Sequence, residues 1–262
     1  TVKQSCPVTP ETKEKQAFHI PLEIGLMLEN GQEANLVCDH KHFNKETKVI
    51  GLTKFEETFE FTQVESQPVP SLLRSFSAPV KLDFEYSRDQ LLFLMAHDTN
   101  GFNRWDAGQK LTTDIILELA EDVLAKKELA VDQRLIDVYA ALLRGEQSDK
   151  AMLAQMLTLP SLAFLMEQRV PTNVHALFEA RSFVKKAIAV SLHSDFYDVY
   201  QGCEDSGAYK PESGAMAQRT LKNLCLQYVL ESGEPKYLET ATQQYNRADN
   251  MTDQSSALVA IV

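Results

Sequence analysis

Between Tyr86 and Ser87 the hydrophobic period of this sequence changes from two to about 3.6, and it does not change back. Val80, Leu82, Phe84 and Tyr86 alternate with polar neighbours, the pattern of a half-buried strand. Beyond the break, Leu91, Leu92, Leu94 and Met95 cluster at helical spacing behind Ser87-x-x-Gln90, a capping-box pattern. A chain with one such break folds as a β module followed by an all-α module, here residues 1–86 and 87–262.

Within the first module, Phe18, Ile20, Leu22, Ile24, Leu26 and Leu28 alternate without a miss up to the hairpin signal Asn30-Gly31. Shorter strands are predicted at 36–38, 48–52, 55–64, 72–76 and 80–86, with Pro68, Pro70 and Pro79 at their edges. Residues 1–6 read as an edge strand lacking its neighbour. Short strands separated by turn signals predict an immunoglobulin-like antiparallel β-sandwich.

The second module reads as helices at 88–97, 104–127, 133–144, 149–157, 162–169, 173–200, 212–230, 235–247 and 253–262. Asp132, Ser148, Ser161, Thr172 and Thr252 are placed as N-caps, and Gly145 and Gly233 as stops. Successive helical pairs without strands predict a HEAT/armadillo-like helical superhelix. No clean repeat is visible, so a compact irregular bundle stays open as the alternative. The apolar run 257–262 is expected to present a face that a later helix would cover.

Composition narrows the function classes. A formal charge of −11, spread as −4 before Ser87 and −7 after it, offers no basic stripe for nucleic acid. No apolar run has the ~18–20 residues that cross a bilayer. The polar opening Thr1-Val2-Lys3-Gln4, without an initiating Met, is no signal peptide and reads as a cut within a longer protein. Four cysteines without CxxC spacing (Cys6, Cys38, Cys203 and Cys225) fit a reducing, cytoplasmic compartment, with Cys225 on an apolar helix face.

Catalytic constellations are incomplete. Cys38, His40 and His42 would share one side of an extended segment, and their donors suit zinc, but no partner ligands are apparent. His175 and Glu179 share a helix face as a surface pair, without the second histidine of H-E-x-x-H. Ser191, His193 and Asp195 sit two apart on a helix, where neighbours diverge, so they form no triad. Gly25, inside the best strand, marks a bulge or close packing. Trp105 is expected to be mostly buried where the two modules join. No residue is assigned as catalytic, cofactor-binding or metal-ligating.

Residues 67–82, from Gln67-Pro68-Val69-Pro70-Ser71-Leu72-Leu73-Arg74 to Ser77-Ala78-Pro79-Val80-Lys81-Leu82, resemble the end of the β-sandwich in the bacterial aminopeptidase N family of M1 zinc metallopeptidases. Asn103-Arg104-Trp105-Asp106, Leu157-Thr158-Leu159-Pro160-Ser161, Arg219-Thr220-Leu221-Lys222-Asn223 and Asn250-Met251-Thr252-Asp253 resemble that family's helical region in the same order. The resemblance implies the sandwich plus the first part of a C-terminal helical domain, a non-catalytic scaffold that is inactive alone. It also implies a zinc-bearing catalytic domain in the same polypeptide as partner, peptides as the parent's substrates, and zinc in the parent only. The family's H-E-x-x-H and G-x-M-E-N motifs have no counterpart here, so no catalytic residue carries over. The alternative from the residues alone is a free-standing protein-interaction module.

Overall fold

The computed structural model describes residues 1–12, 14–146, 148–204 and 209–262. The chain divides into two compact units, Thr1–Ala107 and Gly108–Val262.

In the first unit, β2 (Ile20–Met27) is the organising strand. Its first half pairs antiparallel with β4 (Val49–Leu52), Ile20 opposite Leu52, and its second half with β6 (Val69–Leu72), Ile24 opposite Leu72. With β3 (Phe43–Asn44) on the outer side of β4, the sheet order is β3-β4-β2-β6. A second small sheet pairs β1 (Val2–Lys3) with β5 (Glu56–Glu57). Of the edge strand expected over residues 1–6, Val2–Lys3 forms, and it has a partner in β5. The even positions of β2 face the hydrophobic core, where Leu22 and Ile24 meet Leu36, Ile50, Phe59 and Leu73. The architecture is an immunoglobulin-like sandwich of antiparallel sheets.

Two predicted strands differ in the structure. Residues 80–86 form no ladder, although Val80 and Leu82 do pack on the core. Val80 instead donates its N–H to the Ala78 carbonyl at 2.8 Å, directly after Pro79, which turns the backbone away from strand pairing. The Tyr86 hydroxyl then tethers the segment's end to the Pro70 carbonyl at 2.9 Å. Residues 55–64 pair only at Glu56–Glu57 and, through Thr62, with Val37 of the predicted 36–38 strand. The predicted 72–76 strand ends at Leu72, because Leu73 turns left-handed (φ 54°) into a short 3-10 turn, Arg74–Phe76.

The first unit continues into helices. α1 (Arg88–His97) starts at the expected capping box, with Ser87 Oγ accepting from the Gln90 N–H and the Gln90 side chain accepting from the Ser87 N–H. α2 (Gly101–Leu124) begins three residues earlier than its periodicity implies, because Asn100 Oδ1 accepts from the Asn103 N–H.

The second unit holds the rest of α2 with α3 (Gln133–Arg144), α4 (Lys150–Leu157), α5 (Leu162–Glu167), α6 (Val174–Gly202), α7 (Ser213–Glu231), α8 (Lys236–Arg247) and α9 (Met251–Ile261). Leu111, Ile115, Ile116 and Leu119 form the buried stripe of α2. The Phe196 and Tyr228 rings stack between α6 and α7 with centroids 4.2 Å apart. Asp149, Asn173 and Asn250 cap α4, α6 and α9, in place of the expected Ser148, Thr172 and Thr252. Each reaches an N–H three residues on, geometry the neighbouring hydroxyls do not have. Gly233 takes φ +84° just past α7, the left-handed stop that glycine permits. On α9, Ala257 is buried while Leu258 and Val259 are exposed. No helix among the described residues is long and apolar enough to cross a membrane.

Candidate functional site

The possible metal cluster is taken up by the sandwich. Cys38 packs against the hydrophobic core, and His40 meets the Phe59 ring edge-on with centroids 4.4 Å apart. His42 Nδ1 lies 3.3 Å from Glu57 Oε1. Glu57 is buried and also accepts from the backbone N–H groups of Thr53 and Lys54. The Thr53 amide first, working against desolvation and with help from Lys54 and His42, holds this carboxyl down to about 2. The His40 and His42 rings touch, with centroids 5.4 Å apart, but His42 is engaged by Glu57 and Cys38 by core packing, so the three side chains are held as parts of the sandwich. Among the described residues, no group of three or more His, Cys, Asp or Glu could hold a metal ion.

The helical candidates resolve into structural contacts. His175 and Glu179 are 3.9 Å apart and largely exposed, a surface pair. Asp195 is held by Arg144, whose Nε and Nη2 donate at 2.6 and 2.9 Å. His193 Nδ1 lies 3.0 Å from the Tyr237 hydroxyl, which also donates to the His193 carbonyl at 3.4 Å. This contact sits beside the kink of α6 at Leu192 (φ −126°). Ser191 is exposed and joins neither pair. Burial pushes the Cys203 and Cys225 thiols up from their ordinary values, as in unreactive core cysteines. Trp105 is half-buried rather than enclosed; its ring meets Phe102, 5.7 Å between centroids, and Phe102 meets Phe76.

A dense polar cluster surrounds Arg74, which belongs to none of the candidate motifs. Arg74 is 3% exposed and lies against the odd-numbered face of β2. Its Nη1 is 2.9 Å from Glu33 Oε2, its Nη2 donates to Asp98 Oδ1 at 2.9 Å, and its Nε donates to Ser71 Oγ at 2.9 Å. Lys48 and Thr99 also donate to Glu33, at 2.6 and 2.7 Å. Burial resists ionisation of Glu33, and the bonds from Lys48, Arg74 and Thr99 outweigh it, holding the carboxyl down to about 2. Asn103 Nδ2 completes the cluster with bonds to Ser71 Oγ and the Leu72 carbonyl. Gly25 is the one sequence hint, because the guanidinium needs the room a side chain would fill.

Two further knots lie in the helical unit. Asp253, at the start of α9, accepts from Lys222 Nζ at 2.6 Å and from Asn223 Nδ2 at 2.9 Å. Gln244 donates to Asn223 and to the Asp253 carbonyl, and accepts from the Tyr200 hydroxyl. In the bend after α4, the carbonyls of Leu157, Thr158 and Pro160 accept from Tyr228, Gln109 and Arg181. The Leu157 and Thr158 carbonyls are ones that the end of α4 leaves free, and the Pro160 carbonyl belongs to the loop beyond it. The five stretches that carry the family resemblance supply part of these knots, among them Ser71, Arg74, Asn103, Lys222, Asn223 and Asp253, whereas Glu33, Asp98, Tyr228 and Gln244 lie outside them. Most of these buried polar groups bond to one another and to backbone, with Asp98 Oδ2 and Asn103 Oδ1 left without a hydrogen-bond partner.

A sandwich of antiparallel sheets followed by a helical array, tied by a small set of buried polar residues such as Arg74 and Asp253, defines a two-part scaffold. Residues 1–85 match the family model described as a domain of unknown function (DUF3458) with an Ig-like fold. Residues 88–262 match the domain of unknown function (DUF3458_C) described as ARM repeats. The chain belongs to this DUF3458 family. It is 37% identical to aminopeptidase N of Escherichia coli K12 across 100% of its own length and 30% of that protein. Aminopeptidase N of Haemophilus influenzae is 34% identical across 98% of the chain and 29% of the relative. A solved structure, Legionella pneumophila aminopeptidase A in complex with aspartic acid, matches with TM-score 0.73 and 33% identity, over 91% of this chain and 27% of that one. The chain spans about 30% of the length of these curated relatives.

Proposed function

We propose that this chain is the non-catalytic part of a zinc aminopeptidase, with 1–86 as the immunoglobulin-like domain and 87–262 as the first part of the helical domain. Removal of N-terminal amino acids from peptides is then the work of a zinc domain in the same polypeptide, outside these 262 residues. The observation that carries this reading is the 37% identity to aminopeptidase N along the full chain. The inward-directed polar groups support it, because a scaffold needs rigidity and no exposed nucleophile–base pair. Zinc belongs to the parent alone, and peptides are the parent's substrates. Four free cysteines are in keeping with a cytoplasmic home.

The test is an assay of the intact gene product with an aminoacyl reporter. Release that stops with chelator and returns with zinc supports the reading. An intact product with no such activity would contradict it and favour a free-standing interaction module.

A further inference from the structure

The period break after Tyr86 places α1 in the helical module, yet the first compact unit runs on to Ala107. Contacts within that unit explain the difference. Thr99 donates to Glu33, Asn100 Nδ2 to Ser75 Oγ, and Asn103 Nδ2 to both Ser71 Oγ and the Leu72 carbonyl. At the centre, Arg74 joins Glu33 beside the sheet to Asp98, the C-cap of α1, whose side chain is 0% exposed.

We propose that Arg74 is a latch that makes α1 and the first two turns of α2 part of the sandwich's cooperative unit, separate in its opening from the later helices. The physical case has two parts. Arg74 and Lys48 together balance Glu33 and Asp98, so withdrawing Asp98 leaves positive charge in excess at a buried guanidinium, and the contacts on its two sides open together. The backbone at the latch is also strained: Leu73, Ser75 and Phe76, none of them glycine, take φ of 54°, 53° and 53°. Such conformations persist only where the surroundings over-determine them. The anchored Arg74 side chain supplies that constraint, and its release lets 73–76 relax.

Native-state hydrogen exchange on the full chain tests this in the wild type, Arg74→Met and Thr99→Val. Methionine retains apolar bulk, so it separates the ionic latch from simple apolar docking. In the wild type, amides of residues 91–98 should open together with β2, apart from α3–α9. In Arg74→Met those amides should exchange at least about a hundredfold faster, while α6 and α7 keep their rates. Thr99→Val removes one bond to Glu33 and should give a smaller acceleration confined to the same residues, a readout that survives if Arg74→Met fails to fold. Wild-type rates at 91–98 in both variants, or in Thr99→Val where Arg74→Met does not fold, would overturn the latch. So would opening of 91–98 in step with α3–α9 in the wild type.

Discussion

The guanidinium of Arg74 fills the space that a side chain at Gly25 would need: a Cβ added there would lie 2.1 Å from Arg74 Cζ. Gly25→Ala therefore has to displace a buried cation that serves two carboxylates. We expect a loss of about 3 kcal/mol in denaturant unfolding, combining overpacking with disruption of the ion cluster. Gly214→Ala on α7, where an added Cβ meets nothing within 4 Å, is the control. It should change stability by less than about 1 kcal/mol. Equal effects at both positions would show that the contact at Gly25 is not the cause.

Acid stability should report Glu33. Its carboxyl is held at about 2 in the fold, below the ordinary 4.5, so the unfolded chain binds the proton first as pH drops. The stabilisation is complete above the unfolded value and disappears as pH falls through the folded one. Glu33→Gln should flatten the stability–pH curve between about pH 4.5 and 2. Glu57, depressed first by the Thr53 amide, changes stability in the same direction over the same range. A Glu33→Gln curve parallel to wild type there would contradict the assignment.

Period and capping made most of the fold legible, because they are local. Ser87 and Gln90 mark α1 to the residue, and Leu22 and Ile24 mark the core face of β2. What the sequence hid depends on distant partners. Arg74, between Leu73 and Ser75, reads as the polar end of a strand; only the fold brings Glu33 and Asp98 to it. Asp253 reads as a helix-start residue after Asn250, but its partners Lys222 and Asn223 lie 31 and 30 positions back. Residues 80–86 show the converse. Their alternation correctly turns Val80 and Leu82 inward, but alternation records burial and not ladder pairing.

Asp253 should be the most costly polar position of the helical unit. Alanine there strands the Lys222 ammonium and the Asn223 amide in a buried setting, and the melting experiment should show a loss of about 3 kcal/mol or more. Asp253→Asn keeps the size and one acceptor, so its loss should be smaller. A change below about 1 kcal/mol for Asp253→Ala would mean that the network adds little beyond solvated partners.

The contact of His193 with Tyr237 should matter for folding and Ser191 should not. Tyr237→Phe removes a hydroxyl lying 3.0 Å from His193 Nδ1 and should cost about 1 kcal/mol. Ser191→Ala, on an exposed position, should stay within about 0.5 kcal/mol. The reverse order in thermal unfolding would bring Ser191 back as a functional candidate.

If this segment supplies structure and no chemistry, the purified 262-residue chain should be inert by itself. Aminoacyl-reporter hydrolysis and bound zinc are measured on the same highly purified sample. Hydrolysis should not exceed the uncatalysed rate and zinc should not bind stoichiometrically, because His42 is engaged by Glu57, His40 by Phe59 and Cys38 by core packing. Reporter release by this chain alone that is abolished by chelator and restored by zinc would contradict it.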